Sequence, residues 1–284
     1  MTPTRKPQIP VAAANSTALR LGGVPEHFNL PWHLAMESGR LDDLATTWQD
    51  HPGGTGEMLA KLESGDIDMV SILTEGTVAA IAAGLDATIV QVYVSSPLQW
   101  GVHVPAASAI QSEADLQGRR IAISRFRSGS HLMAYVQADR NGWDLADEQF
   151  VVVGGLEGAR QSFAEQSTDQ FLWDRFMTQP FVDNGEFRRV AVQPTPWPSF
   201  VVAVRDDVLL GRTTEVGRIV DAVVSESTGL HDRSGIVDTL TSRYGIEPDG
   251  AEAWLDATTF AARGPFDQQI QADTLATLER ARFS

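Results

Sequence analysis

The chain has 284 residues, of which 43% are hydrophobic and 21% charged, and its formal net charge at pH 7 is −15. This length suffices for one large or two ordinary domains, and the composition is typical of a soluble globular protein. The acidic charge disfavours nucleic acid and anionic membrane surfaces as partners. Because the chain has no cysteine, disulfides, thiolate zinc sites and cysteine nucleophiles are excluded.

The N-terminal stretch does not have the pattern of a secretory signal. It begins with basic residues, but its apolar segment, IPVAAA, is short and is broken by Pro10. No apolar run approaches the length of about twenty residues that a transmembrane helix needs. The sequence as written therefore predicts a cytoplasmic protein without membrane insertion, or a periplasmic or extracellular one if a native leader is missing from it.

Strand-like apolar runs recur along the chain, with helix-like segments between most of them. In chain order they are LRLGGV, DMVSIL, ATIVQVYV, RRIAIS, QFVVVGG, DQFLW and SFVVAV. This alternation predicts an α/β fold with largely parallel sheets. The final third of the chain changes to amphipathic segments, which predict a coat of helices.

Two of the predicted helices have readable ends. Thr74 is predicted to cap a helix that stops at Gly84. Ser128 or Ser130 is predicted to cap a second helix, which stops at Gly142.

The sequence repeats its own pattern at a shift of 101 residues. The shift places Gly53 and Gly54 on a second glycine pair, and Asp68 on Asp169. The order strand, turn, helix, glycine pair, helix, aspartate, strand is repeated as a whole. We therefore predict two α/β lobes of similar build that face each other across a ligand cleft, each with a mainly parallel sheet flanked by helices.

The predicted domains follow from this repeat. They are a flexible N-terminal segment over residues 1–17, a discontinuous first lobe over 18–103 and 198–284, and a second lobe over 104–197. Three prolines, Pro194, Pro196 and Pro198, stiffen the predicted return crossing. Hinges are expected around residues 102–106 and 194–198.

Familiar catalytic and metal-binding patterns are weak in this chain. The glycine turn at Gly53–Gly56 lacks the lysine of a phosphate-binding loop, although its helix start suits an anion or a polar ligand edge. His33 and Glu37 share a helix face, yet no further ligand repeats their spacing, so we expect no metal. No Ser–His–Asp spacing is readable, and a histidine that acts as a general base stays open as an alternative.

The segment SRFRSGSHLMA offers the best anion site of the sequence. Arg125 precedes a helix start that is rich in hydroxyl groups, so guanidinium, hydroxyls and the positive helix end can converge on one group of oxygens. Several tryptophans, among them Trp32, Trp100 and Trp173, are predicted at strand ends or crossings, where they would form aromatic walls for a flat ligand.

The phrases GGVPEHFNLPWHLA, LESGDIDMVSILTEG, YVSSPLQWGVHVP, ISRFRSGSHLMAYV and WPSFVVAV resemble the type II periplasmic-binding-protein fold. The similarity is to a bacterial and fungal branch without an assigned ligand, which is related to alkanesulfonate, taurine, nitrate and thiamine-pyrimidine binders. It covers residues 18 to 284 and implies a two-lobed clamp that closes on a small molecule.

Carried onto this chain, the resemblance implies a set of ligand contacts at turns, helix starts and crossing strands. They are His27, Phe28, Asn29, Trp32, Gly54, Thr55, Thr74, Glu75, Ser95, Ser96, Trp100, Arg125, Ser128, Ser130, His131 and Trp173. No cofactor and no catalytic residue are expected. The implied partners are a small molecule and an ABC permease.

The leading hypothesis is a solute-binding protein that clamps a small organic anion or heteroaromatic metabolite by hinge closure. The alternative is an intracellular, lyase-like enzyme on the same fold, in which a histidine or Glu75 in the cleft shuttles a proton. Some intracellular relatives of this fold are lyases. A cytosolic sensor subunit is a third possibility.

Overall fold

The computed structural model describes residues 18–280, which form two five-stranded sheets with helices around them. The strands of the first sheet are β1 (Leu19–Gly23), β2 (Thr46–Asp50), β3 (Met69–Leu73), β4 (Ala87–Val94) and β10 (Phe200–Arg205). Those of the second sheet are β5 (Gln99–Pro105), β6 (Ile121–Ile123), β7 (Phe150–Val152), β8 (Gln170–Asp174) and β9 (Phe187–Pro194). The α/β fold class is therefore confirmed, while the prediction for residues 1–17 lies outside the described residues.

The helices fall into two groups along the chain. Between the strands lie α1 (Leu30–Glu37), α2 (Gly54–Ser64), α3 (Thr74–Ala82), α4 (Gly129–Asn141), α5 (Leu156–Ala164) and α6 (Gln179–Asp183). After β10 come α7 (Asp206–Gly211), α8 (Thr213–Thr228), α9 (Ile236–Tyr244), α10 (Pro248–Ala257) and α11 (Gln268–Arg280). The second group is the predicted helical coat.

The two sheets have the same strand order. The first runs β2-β1-β3-β10-β4 and the second β7-β6-β8-β5-β9. In each, the first three strands are parallel and the fourth is antiparallel to its neighbours. This correspondence is the one that the 101-residue repeat predicts.

One ion pair occurs at equivalent places in both sheets. Asp68 accepts hydrogen bonds from the backbone N (2.8 Å) and Nε (3.0 Å) of Arg20, just before β3. Asp169, just before β8, accepts the same two bonds from Arg120, each over 3.0 Å. The repeated aspartate therefore fixes the same junction between neighbouring strands in both lobes.

The two halves of the chain exchange strands. After β4 the chain leaves the first sheet, and β5 enters the second sheet between β8 and β9. After β9 it returns, and β10 enters the first sheet between β3 and β4. Two crossings, residues 95–98 and 195–199, therefore connect the lobes.

This path corrects the first predicted hinge. Residues 102–105 lie within β5 and pair with β9, and Val102 and His103 also pair with β8, so they cannot absorb a large dihedral change. The first crossing between the sheets lies earlier, at residues 95–98. The predicted lobe boundaries at 103/104 and 197/198 stay a prediction, and β5 lies across the first of them.

The predicted helix ends are partly confirmed. Ser128 is the N-cap of α4, where its hydroxyl accepts from the backbone N–H of His131, and Gly142 ends that helix in the left-handed conformation with φ 67°. Thr74 is not a cap, because Leu73 has the extended conformation of an N-cap and Thr74 is the first helical residue. Its hydroxyl is thereby left without the backbone bond that a cap would make.

Candidate functional site

A small cavity lies where the two sheets meet. Its walls come from the turns after β1 and β8, from both crossings and from the end of α10. The lining residues are Phe28, Ser96, Pro97, Leu98, Gln99, Phe176, Ser199, Ala257 and Thr258. The carboxyl ends of strands in α/β sheets are the usual position of a ligand. The enclosed space measures only about 10 Å³, so the two lobes lie close together in this conformation.

The turn after β1 forms the first wall of the cleft. The ring of His27 stacks on Phe28 with centroids 4.9 Å apart and meets Trp254 edge-on at 4.7 Å. Burial lowers the pKa of His27 to about 4, so its ring is neutral at physiological pH. Asn29 is buried, and its Nδ2 donates to Val24 O over 2.7 Å. Of these residues, Phe28 reaches the cavity itself.

Trp32 does not reach the cavity. It belongs to α1, where its side chain is 1% exposed and packs against Trp48 and Tyr93 in the core of the first lobe. Its prediction as a strand-end residue is wrong, since the helix begins two residues earlier at Leu30. A side chain so buried has no surface to offer a ligand.

The N-terminal turns of α2 and α3 lie side by side in the first lobe. A Cβ atom on Gly76 would lie 2.5 Å from Thr55 Cγ2, so a glycine is needed where the two helices meet. Gly54 has φ 70°, which orients the first turn of α2. Thr55 is half-buried, whereas Thr74 is fully buried and its Oγ1 has no hydrogen-bond partner.

Glu75 is a buried carboxyl at the start of α3. Its Oε2 accepts from Trp197 Nε1, in the second crossing, over 2.9 Å. Burial raises the pKa of Glu75 to about 7, although the bond from Trp197 acts in the opposite direction. The group therefore titrates near neutral pH.

The two serine hydroxyls of the first crossing are hydrogen-bonded to the backbone of Thr259. Ser95 Oγ donates to Thr259 O over 3.0 Å, and Ser96 Oγ accepts from the backbone N of Thr259 over the same distance. Ser96 lines the cavity, whereas Ser95 is exposed. These two serines hold the crossing to the segment after α10.

The start of α4 forms the facing wall in the second lobe. The hydroxyls of Ser128 and Ser130 lie 3.0 Å apart, and Ser130 Oγ accepts from the backbone N of Ser124. His131 Nδ1 accepts from the backbone N of Arg127 over 3.1 Å. Burial lowers the pKa of His131. The structure thus brings the three predicted residues of this turn together.

Arg125 extends from this wall toward the first lobe. Its Nη2 lies 4.0 Å from the position of a Cβ on Gly56, in the first turn of α2. The guanidinium has no hydrogen-bond or ion-pair partner among residues 18–280. A cation therefore lies against the positive end of a helix that belongs to the opposite lobe.

Trp100 and Trp173 lie near the end of the second sheet. Their rings meet edge-on with centroids 6.3 Å apart, and the Trp100 ring packs against Gly129 at the start of α4. Trp100 is 7% exposed, and its Nε1 has no partner. Trp173 is half-buried and stacks on Phe171.

Sequence reasoning missed several residues at the cleft. Phe176 and Ser199 line the cavity, and Glu26 and Asp174 lie in the turns that form it. The signal was available, because Asp174 and Phe176 follow the predicted strand DQFLW at its carboxyl end. At this strand end the prediction named Trp173 alone, because it considered the tryptophan ring and not the turn that follows.

Two further observations bear on the kind of site. No helix between residues 18 and 280 is long and apolar enough to cross a membrane. Within the same range, no cluster of three or more His, Asp or Glu side chains is suited to holding a metal ion.

These two sheets, their crossings and the cavity between them define a two-lobed protein of the type II periplasmic-binding-protein class. Comparison with known proteins supports this class. Residues 100–192 match the family model for Ca3427-like periplasmic binding proteins. The family match covers about the middle third of the chain, and the fold of the whole is that of the periplasmic-binding-protein-like proteins.

Among solved structures, the protein is similar to the Candida albicans CA3427 gene product, which is described as defining a new family with the generic periplasmic binding protein fold. The two are 28% identical, with a TM-score of 0.84 over 94% of this chain and 91% of that chain. The alkanesulfonate-binding protein SsuA from Xanthomonas axonopodis pv. citri, bound to MOPS, is 23% identical, with a TM-score of 0.79 over 95% of each chain.

The periplasmic aliphatic sulphonate binding protein SsuA from Escherichia coli is 19% identical, with a TM-score of 0.75 over 93% of this chain and 87% of that chain. These two sulfonate-binding proteins share the fold. No curated protein sequence matches the chain significantly.

Proposed function

We propose that the protein is a solute-binding protein that closes its two lobes on a small organic anion or heteroaromatic compound, and that it delivers this ligand to an ABC permease. The similar structures named for sulfonate binding support a binding role over catalysis. The proposal concerns the cavity between the lobes and the walls described above.

The observation that carries the proposal is the position of Arg125 against Gly56. A guanidinium from the second lobe and a helix N-terminus from the first lobe converge there, although Glu57 Oε2 already accepts from the backbone N of Gly53 at that helix start over 2.8 Å. An anionic ligand group placed there would receive charge-assisted hydrogen bonds from both lobes. Ligand binding would therefore favour the closed arrangement.

The proposed roles of the other residues follow from their placement. Phe28 and Trp173 would contact the body of the ligand, and Trp100 Nε1 and Thr74 Oγ1, two buried groups without partners, would bind its polar atoms. Ser128 would orient the anionic group from the start of α4. Hydrogen bonds from these three side chains would make the site specific for ligands with polar atoms in matching positions.

The test is ligand binding by wild-type protein and an Arg125→Ala variant. Native mass spectrometry of freshly purified protein identifies a retained small molecule, and calorimetry then measures its affinity. Arg125→Ala should weaken the binding by about 2 kcal/mol or more. Arg119→Ala, which removes another exposed arginine of the second lobe, should leave it unchanged. Equal affinity in wild type and Arg125→Ala contradicts the role of Arg125.

A second candidate function is favoured by Glu75. A buried carboxyl with a pKa of about 7 beside the second crossing is suited to proton transfer, as a lyase-like enzyme would need. In that case the purified protein converts the bound compound, and Glu75→Gln abolishes turnover without abolishing binding. A ligand that is recovered chemically intact after prolonged incubation contradicts this alternative.

A further inference from the structure

Two turns from opposite lobes, each with one carboxyl residue, converge at the cleft. Glu26 lies in the turn between β1 and α1, and Asp174 is the last residue of β8. The two turns converge on the same cavity, because Phe28 and Phe176, each two residues further along the chain, both line it. Burial, with a further contribution from the charge of Asp174, raises the pKa of Glu26 to about 7.

Neither carboxyl forms a salt bridge within residues 18–280. Between residues 18 and 280, the side-chain carboxyl of Glu26 accepts no hydrogen bond and has no ion-pair partner. Asp174 Oδ1 accepts from the backbone N–H groups of Phe176 and Met177, each over 2.9 Å. Burial still raises the pKa of Asp174 against these bonds and against the positive charges of Arg175 and Arg189. The neighbouring His27 is neutral and adds no positive charge.

The turn that carries Glu26 also holds a buried acceptor without a donor. Asn29 is 1% exposed, and its Nδ2 is bound to Val24 O, which leaves Oδ1 without a partner. The backbone N of Asn29 donates to Glu26 O over 3.0 Å, so the two residues belong to one tight turn. A buried acceptor of this kind costs free energy until a donor reaches it.

We infer that this end of the cleft is a subsite for a positively charged organic nitrogen group of the ligand, a protonated amine or amidine, with Glu26 and Asp174 closing on it from opposite lobes. The inference rests on the proposed binding function and adds a second recognition element to it. A ligand that also carries the anionic group for Arg125 is then zwitterionic.

The aromatic walls favour an organic cation over a bare metal ion. Phe28 and Phe176 line the cavity beside the two carboxyls, and aromatic faces attract ammonium and guanidinium groups. The ring of Phe176 already shows this behaviour, since the guanidinium carbon of Arg175 lies 4.9 Å from its centroid. A metal ion would gain little from these walls.

The test uses pairs of probes with equal numbers of heavy atoms. Benzylammonium is compared with benzyl alcohol, and γ-aminobutanoate with pentanoate, by calorimetry on the full chain. The charged nitrogen should improve the affinity of each pair about tenfold or more. The double variant Glu26→Gln/Asp174→Asn should lose this preference, whereas Glu63→Gln/Asp144→Asn, at two exposed carboxyls, should keep it.

The comparison within each probe pair decides whether the subsite exists. Equal affinity within each pair, or no binding of either amine by the wild-type protein, overturns it, and this comparison does not depend on whether a variant folds. If anions still bind and Arg125→Ala weakens them, the proposed function stands without the cation subsite. If no small molecule binds or is retained, both proposals fail together.

Discussion

Trp197 Nε1 donates to Glu75 Oε2 over 2.9 Å and so joins the second crossing between the lobes to the first turn of α3. Both residues are buried, and no arginine or lysine pairs with this carboxyl among residues 18–280. The protonation state of Glu75 therefore affects a contact that lies on the path between the lobes.

The first prediction concerns the pH dependence of stability. The pKa of Glu75 rises from its ordinary value of 4.5 to about 7 on folding, so the folded chain holds this proton longer than the unfolded chain. Its contribution to stability is full below about pH 4.5 and is lost as the pH rises through 7. Glu75→Gln should thus be more stable than wild type at pH 8, by up to about 3 kcal/mol.

Urea denaturation at several pH values measures this difference. The gain in the free energy of unfolding should vanish near pH 4, where Glu75 is protonated in both states. Glu63→Gln, at an exposed position of α2, provides the matched control and should show no such gain. A difference between Glu75→Gln and wild type that is the same at pH 4 and pH 8 would contradict the linkage.

The second prediction compares the two equivalent ion pairs. Asp68 has an 8% exposed side chain and lies 3.7 Å from Arg205 in addition to its bonds with Arg20. Asp169 is 24% exposed and pairs with Arg120. Asp68→Asn should lower the free energy of unfolding by about 2 kcal/mol, and Asp169→Asn by about 1 kcal/mol or less, because solvent weakens the second pair. Chemical denaturation of both variants checks the order, and equal losses would show that exposure does not decide it.

The third prediction separates a ligand contact from a structural hydroxyl. Thr74 Oγ1 is buried without a partner, whereas Thr77 Oγ1, on the same helix, donates to Leu73 O over 2.8 Å. Thr74→Val should keep or raise the free energy of unfolding, by about 1 kcal/mol, and should weaken ligand binding about two- to tenfold. Thr77→Val should lower stability and leave the affinity unchanged. Unaltered affinity in Thr74→Val removes this hydroxyl from the site.

The fourth prediction tests the correction at Trp32. Because its side chain is 1% exposed in the core, Trp32→Phe should lower the free energy of unfolding by about 1–3 kcal/mol without changing ligand affinity. Trp32 Nε1 and Trp100 Nε1 both lack a partner, but only the Trp100 ring packs against the start of α4, so Trp100→Phe should weaken the binding instead. Thermal unfolding and calorimetry on the two variants distinguish these roles. A loss of affinity in a fully folded Trp32→Phe variant would return Trp32 to the site.

The sequence predicted the seven strands that have strong apolar runs and missed three others. β2, TTWQD, lies at an edge of the first sheet and has no fully buried residue, so it shows no apolar run. β9 lies at an edge of the second sheet and is mostly half-buried. β5 carries a glycine and a proline, which favoured a boundary, although five of its seven residues are buried.

The candidate site was predictable where the repeat aligned its turns and not where a contact depends on both lobes. The turn at Phe28 and Asn29 and the start of α4 follow from the strand–turn–helix pattern. The approach of Glu26 to Asp174 is different, because it depends on how two lobes face each other, and no local pattern encodes that. Trp32 was misplaced because helical periodicity in a short segment does not show which face is buried.

The reciprocal strand exchange makes each lobe depend on chain contributed by the other half. β5 lies in the interior of one sheet and β10 in the interior of the other, so neither sheet is complete until both crossings have been made. A fragment that ends after β4 would lack the strand that separates β3 from β4. The two lobes are consequently not independent folding units. The protein should unfold in a single cooperative transition even without a bound ligand.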